Sequence, residues 1–176
     1  MKALASAAAF QLVWYLCVVG GDFIAMVTTG VYLLLHRHFF MNAPKEWYLV
    51  GVFLLAGIVF DGLLIGQGFL RFSDSDVTSY WELPPLWLLC LWVSVGTLFS
   101  HALKWARTKP LVLIGASFIG PPLSYLIGAE FAGAALAEPL AVSLALIGVI
   151  WAVVLWFANR LAVRWLDVPR PNPPLN

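Results

Sequence analysis

The sequence predicts an all-α membrane protein, a polytopic transmembrane bundle of six short helices with both termini in the cytoplasm. Three observations predict it: an apolar composition, six apolar runs of near-spanning length, and basic residues that fall on one side. Of the 176 residues, 62% are hydrophobic and 11% are charged, against about 45–50% and about 25% in soluble domains. A soluble domain of this size cannot bury so much apolar surface, so we expect lipid to cover it.

The six apolar runs are separated by polar, proline or glycine residues. They cover residues 3–19, 23–40, 47–70, 85–103, 110–128 and 139–158. A spanning helix needs about 20 residues, with a range of about 17–25. The second run is uninterrupted only to Leu35 and reaches full length by including His36 and Arg37. Their polar side chains can extend to the interface from a helix end. We expect one domain over residues 1–168 and a proline-rich disordered tail over 169–176.

The basic residues predict the orientation. In a six-span arrangement, nine of the ten lysines and arginines fall on one side and only Arg71 falls on the other. The positive-inside rule places the basic side in the cytoplasm. The formal net charge is only +1, and the basic residues are spread over several loops, so the sequence gives no basis for nucleic-acid binding.

Asp61 lies well inside the third predicted span, about 21 Å from its cytoplasmic end at 1.5 Å per residue. A carboxylate at that depth is costly unless it is paired, protonated or hydrated. The functional interpretation is a proton relay, a ligand contact or a catalytic acid. The structural interpretation is a carboxyl group that is bonded to a neighbouring helix. The position favours a functional role, and both interpretations remain open.

The fifth predicted span contains Gly120-Pro121-Pro122 near its middle. Two prolines remove two backbone donors and interrupt a helix, and membranes tolerate such a break only beside protein or a water-filled cavity. Tyr125 lies about 22 Å from the cytoplasmic end, level with Asp61. We therefore predict that Asp61 and Tyr125 meet beside the break and that Pro121 belongs to the same binding site, as in midplane sites of transporters. The alternative is a proline kink that only shapes packing.

His101 lies near the cytoplasmic end of the fourth predicted span, about 12 Å or more from the level of Asp61. A direct contact between these two residues is therefore not expected. Gln11, Thr97 and Ser117 lie closer in depth to His101, and the four residues are predicted to form a second, inner polar layer. A lone histidine near a helix end is more often structural than functional.

A metal site or a bound cofactor is not predicted. His36 and His38 are two residues apart, so on a helix their side chains point in nearly opposite directions and cannot bind one metal ion. The chain contains no nucleophile elbow, P-loop, zinc-protease or dinucleotide-binding motif. No recognised nucleophile and base are paired, so the sequence leaves open whether the protein is an enzyme.

One series of aromatic, glycine, proline, small and polar residues extends from the first predicted span to the fifth. They are Phe10, Gln11, Trp14, Asp61, Gly66, Phe69, Pro85, Leu86, Trp87, Leu88, Leu91, Trp92, Thr97, His101, Trp105, Gly115, Ala116, Gly120, Pro121, Tyr125 and Gly128. In this pattern the chain resembles the domain of unknown function 2878 family of small bacterial inner-membrane proteins. Pro122 and Ser100 depart from the family pattern. Family members look to be encoded near fatty-acid-modifying methyltransferases, so the resemblance implies an inner-membrane location and a link to lipid metabolism.

Three functions are compatible with these features. The favoured one is a lipid-binding or accessory component of membrane lipid metabolism, because the loops are short and no soluble domain is present. The second is a small transporter or flippase-like carrier with a midplane site at Asp61, and the third is an intramembrane lipid-modifying enzyme. The expected partners are membrane lipids, together with a second membrane protein or further copies of the chain.

Overall fold

The structure, a computed structural model, describes residues 2–72 and 81–167, and helices dominate it. The elements in chain order are α1 (Lys2–Leu35) with a π-helical extension (His36–Phe40), α2 (Glu46–Gly66), β1 (Leu70–Phe72), α3 (Leu86–Leu98), a 3₁₀ turn (Lys104–Arg107), α4 (Pro110–Ser117), α5 (Gly120–Ala132), β2 (Ala134–Leu136) and α6 (Leu140–Leu166). The all-α class predicted from the sequence is confirmed. The tail predicted for 169–176 lies outside the described residues.

Four helical stretches are long and apolar enough to cross a membrane, namely Lys2–Phe40, Glu46–Gly66, Pro110–Ala132 and Leu140–Leu166. The 13-residue α3 is apolar but shorter. Together with α3, the described residues therefore contain five separate apolar helical stretches, where six were predicted. The count is lower because the first two predicted spans run together without a loop. Large apolar side chains are exposed along these helices, as expected of a surface that lipid covers. The chain is a helical membrane protein.

Gly21 interrupts α1 with a φ of 68° and a ψ of −175°, a backbone conformation that is essentially restricted to glycine. A Cβ atom on Gly20 would lie 2.6 Å from the Ile24 Cβ atom, so both glycines are needed for the tight turn. The Cys17 Sγ and Thr29 Oγ1 atoms are 3.6 Å apart, although twelve residues of continuous helix would separate them by about 18 Å. The chain therefore doubles back at Gly21, and the two halves of α1 lie side by side.

Short contacts connect the loops at each end of the bundle. At one end, β1 and β2 form an antiparallel pair, and the Trp87 backbone N–H donates to the Asp22 carboxylate at 2.9 Å. At the other end, the His36 Nε2 and Glu46 Oε2 atoms are 3.1 Å apart. The reversal at Gly21 thus lies at the same end as the two strands, and the connection between α1 and α2 lies at the opposite end.

The predicted interruption of the fifth span is confirmed, because α4 ends at Ser117 and α5 begins at Gly120. Pro121 and Pro122 stand in the first turn of α5, where a helix has no use for their missing N–H groups. Two helix ends differ most from the ends of the predicted spans. The fourth predicted span leaves the α-helix after Leu98, five residues before its predicted end, and α6 continues to Leu166, eight residues beyond the predicted end of the sixth span. Hydropathy alone does not register where backbone hydrogen bonding stops.

Candidate functional site

Asp61 lies in the second half of α2, and none of its surface is exposed. The Trp92 Nε1 atom of α3 donates to Asp61 Oδ2 at 2.6 Å, and the Tyr125 hydroxyl of α5 donates to Asp61 Oδ1 at 2.5 Å. Donors to both oxygens offset the cost of placing a carboxyl group among apolar side chains. The predicted meeting of Asp61 and Tyr125 is confirmed, whereas their role in binding stays a prediction.

The helices that carry these two residues are not close neighbours. α2 packs chiefly against α3 and also contacts α6, and α5 packs against α6 and α1. The two helices therefore meet through these side chains and do not pack closely against one another. Tyr125 reaches Asp61 because its side chain is long, and the depth of a residue along its helix carries no information about which helices are adjacent.

The contact of Trp92 with Asp61 was not predicted from the sequence. Gly57 lies one helical turn before Asp61 and on the same face of α2, and a Cβ atom there would lie 2.5 Å from the Trp92 Cγ atom. The indole therefore rests directly on the glycine and points its N–H group at the carboxylate. Trp92 also stacks on Trp151 of α6, with ring centroids 4.3 Å apart. A glycine four residues before a membrane carboxylate is the sequence signal that could have indicated a large ring here.

Trp92 and Tyr125, the two residues that donate to Asp61, also line a cavity of about 550 Å³. This volume falls within the range of about 300–1,000 Å³ that is usual for small-molecule sites. Its wall comes from α1, α3, α4, α5 and α6, is mostly apolar, and is partly open to the surroundings. Asp61 is not on the wall, but the two side chains that it binds are. Aromatic residues contribute much of the lining and include Phe10, Trp14, Trp87, Trp92, Tyr125 and Trp151.

The cavity is elongated along the bundle. The α3 residues on its wall recur three or four apart and therefore form one helix face; besides Trp87 in the first turn, they are Leu88, Leu91, Trp92, Val95 and Leu98. Ten residues of helix from the first to the last correspond to about 15 Å. Phe72 of β1 lines the cavity at one end, and Trp105 of the 3₁₀ turn lines it at the other. An extended apolar molecule that lies along α3 would fit this shape.

The family model described as "Protein of unknown function (DUF2878)" matches residues 3–157. The chain belongs to this family. No match was found among curated proteins or among solved structures. The matched segment includes α1 to α5 and more than half of α6, and every residue of the cavity wall lies within it. The family match describes no activity.

The other residues that were predicted for the site in this DUF2878 protein divide into two groups. Gln11 and Pro121 lie on the cavity wall beside Tyr125. Thr97, Ser117 and His101 do not line it. Thr97 bonds to the Tyr32 hydroxyl at 2.6 Å and donates to the Ser94 carbonyl of its own helix at 2.8 Å. Ser117 donates to the Ile114 carbonyl within the same helix, and His101 bonds to the Phe40 carbonyl at 2.6 Å.

The predicted inner polar layer is therefore not formed. Among the described residues, no hydrogen bond joins any two of its four members: Thr97, Ser117 and His101 bond to groups outside the set, and Gln11 lines the cavity without a bond. A direct contact between Asp61 and His101 was not expected, and the two residues have separate partners.

His36 corrects a second expectation. Its side chain was expected to extend to the membrane interface, but it is 2% exposed and faces Glu46. The Glu46 carboxylate also accepts the Asn42 and Ala43 backbone N–H groups at 2.7 and 3.1 Å. The three donors hold the connection from α1 to α2 against the bundle, so the histidine turns inward. In the described ranges, 2–72 and 81–167, no group of three His, Cys, Asp or Glu side chains is arranged to hold a metal ion.

Proposed function

We propose that the protein binds the hydrocarbon part of a membrane lipid in the aromatic cavity and acts as a lipid-binding or accessory component of membrane lipid metabolism. The observation that carries the proposal is a largely apolar cavity of about 550 Å³ in a protein whose exposed surface is itself apolar. Water fills apolar cavities poorly, whereas hydrocarbon chains are the most abundant apolar molecules around a membrane protein. The 15 Å face of α3 corresponds to about half of a hydrocarbon core that is ~30 Å thick, which is the depth of one leaflet.

Asp61 supports the cavity wall in this proposal and does not contact the lipid. Both of its carboxylate oxygens accept hydrogen bonds, and these bonds set the positions of Trp92 and Tyr125. A carrier with its binding site at Asp61 would need a carboxylate that a ligand can reach, and this one is fully buried. An intramembrane enzyme would need a nucleophile and a base at the cavity, and the described residues of its wall contain no such pair.

Lipid binding predicts saturable quenching of tryptophan fluorescence by brominated stearate in the purified protein, because bromine quenches rings that it contacts. Ala116→Phe is expected to weaken the apparent affinity at least about tenfold, since Ala116 lines the cavity and a phenyl ring would occupy its space. Gly115→Phe is the matched control, because Gly115 precedes Ala116 on α4 and a Cβ atom there meets nothing within 4 Å. Quenching that does not saturate, or equal affinities for the two variants, would contradict the proposal.

We also propose six membrane crossings, with both termini on the cytoplasmic side of the bacterial inner membrane. The reversal at Gly21 supports separate first and second crossings. The antiparallel pairing of β1 with β2 supports placing the loops after α2 and after α5 on one side. The pairing of His36 with Glu46 supports placing the loop between α1 and α2 on the other side, together with most of the basic residues.

The topology is tested by reporter fusions. Fusions after Lys45 and Arg107 are expected to report the cytoplasm, and fusions within residues 74–82 and 130–138 are expected to report the periplasm, because the basic loops stay inside. Paired phosphatase and fluorescent-protein reporters at each position provide opposite signals for each compartment. A periplasmic signal at Arg107, or cytoplasmic signals in both acidic loops, would exclude the six-crossing arrangement.

A further inference from the structure

Gln11 is a polar residue in the middle of the first half of α1. It is nine residues from Lys2 and nine from Gly20, which places it about 14 Å from either end of that half. Its side chain is exposed, lines the cavity, and has no hydrogen-bond partner among the described residues. An amide group that lacks a partner is costly in hydrocarbon, and 14 Å is too far for a glutamine side chain to reach an interface.

A second polar group lies close to Gln11 on this side of the cavity. Trp14 is three residues further along α1, on the same helix face as Gln11, and its Nε1 atom donates to the Ser124 Oγ atom of α5 at 2.8 Å. Ser124 also lines the cavity. The wall formed by α3 and α6 presents apolar side chains and the stacked rings of Trp92 and Trp151; the Trp92 N–H group is directed at Asp61, and the Trp151 N–H group is buried without a partner among the described residues. The polar groups are therefore concentrated between α1 and α5, and a few such groups usually set the specificity of an apolar pocket.

We propose that the amide group of Gln11 selects a lipid that carries a hydrogen-bonding oxygen within its apolar body, at the middle of the membrane. This inference rests on the proposed function and names the class of lipid. A hydroxyl or keto group along an acyl chain has this chemistry, and so does the carbonyl group of an isoprenoid quinone. The amide N–H donates to such an oxygen, and the amide carbonyl accepts from a hydroxyl group. An unsubstituted acyl chain leaves the amide without a partner.

The test measures how well three probes displace brominated stearate from the purified protein: stearate, 12-hydroxystearate and decylubiquinone. At least one oxygenated probe is expected to displace it at a concentration about threefold to tenfold below that of stearate, the value of one neutral hydrogen bond. The better of the two identifies the source of the oxygen. Gln11→Leu is expected to abolish the preference, so that the three probes displace brominated stearate at similar concentrations, because a leucine side chain neither donates nor accepts a hydrogen bond.

The exchange variant Gln11→Leu/Leu12→Gln is the matched control, since it keeps the composition but turns the amide about 100° around the helix. Leu12 is 61% exposed and is not on the cavity wall, so the exchange is expected not to restore the preference. Equal displacement by all three probes, or a preference that survives Gln11→Leu, overturns the inference while stearate binding still stands. Absence of saturable stearate binding overturns the proposed function, and this inference with it.

Discussion

Asp61→Ala is expected to lower the free energy of unfolding by about 2–6 kcal/mol, because the Trp92 Nε1 and Tyr125 hydroxyl groups would lose their acceptor and each orphaned buried donor costs about 1–3 kcal/mol. Both donors are directed at a residue with no exposed surface, so water cannot replace the carboxylate. Unfolding by sodium dodecyl sulfate in mixed micelles, followed by circular dichroism, measures the difference. Brominated-stearate binding is expected to weaken in parallel, because the two rings line the cavity.

Asp61→Asn separates support of the wall from chemistry at the carboxylate. The amide oxygen can accept one of the two hydrogen bonds, so about half of the loss in stability is expected, and lipid binding should largely return. An Asp61→Asn protein that is as stable as the native one but binds no lipid would contradict a supporting role and would favour a functional carboxylate. Ser117→Ala is the control, because Ser117 is also fully buried but bonds only to a carbonyl group of its own helix. Equal losses for Asp61→Ala and Ser117→Ala would refute the role assigned to Asp61.

Gly21→Val is expected to disrupt the reversal within α1. A residue other than glycine in this backbone region costs about 1–3 kcal/mol, and a β-branched residue is among the least tolerated at positive φ. The reversal can be measured by oxidative cross-linking of Cys17 to a cysteine introduced as Thr29→Cys, because the native side-chain atoms are 3.6 Å apart. Cross-linking with iodine is expected to be efficient when Gly21 is present and to fall severalfold, along with accumulation in the membrane, in Gly21→Val.

The cross-linking experiment uses a Cys90→Ser background, because Cys90 is the other free cysteine and lies close to Thr29. Gly30→Val is the matched control for the substitution, since Gly30 lies in the second half of α1 and a Cβ atom there meets nothing within 4 Å. Unchanged cross-linking in Gly21→Val would show that this glycine is not required. Absence of cross-linking even with Gly21 present would exclude the reversal and, with it, six crossings.

Several features of the fold and the site were predictable because they depend on one segment at a time. The span positions follow from runs of apolar residues, and the interruption between α4 and α5 follows from the prolines after Gly120. The depths of Asp61 and Tyr125 follow from the constant rise of a helix, which is why their contact was predicted from a count of residues. The count of separate apolar helices was not predicted, because Gly20 and Gly21 reverse the chain without a polar loop.

The sequence by itself determined that this protein is an all-α membrane protein and that Asp61 lies deep among apolar residues, because composition and periodicity act locally along the chain. Only the tertiary structure decided what surrounds each residue. It placed Trp92 over Gly57 and against Asp61, turned His36 towards Glu46, and left a cavity between helices that are distant in the sequence. These outcomes depend on helix rotation and on the order of neighbouring helices, and packing between side chains of different helices sets both.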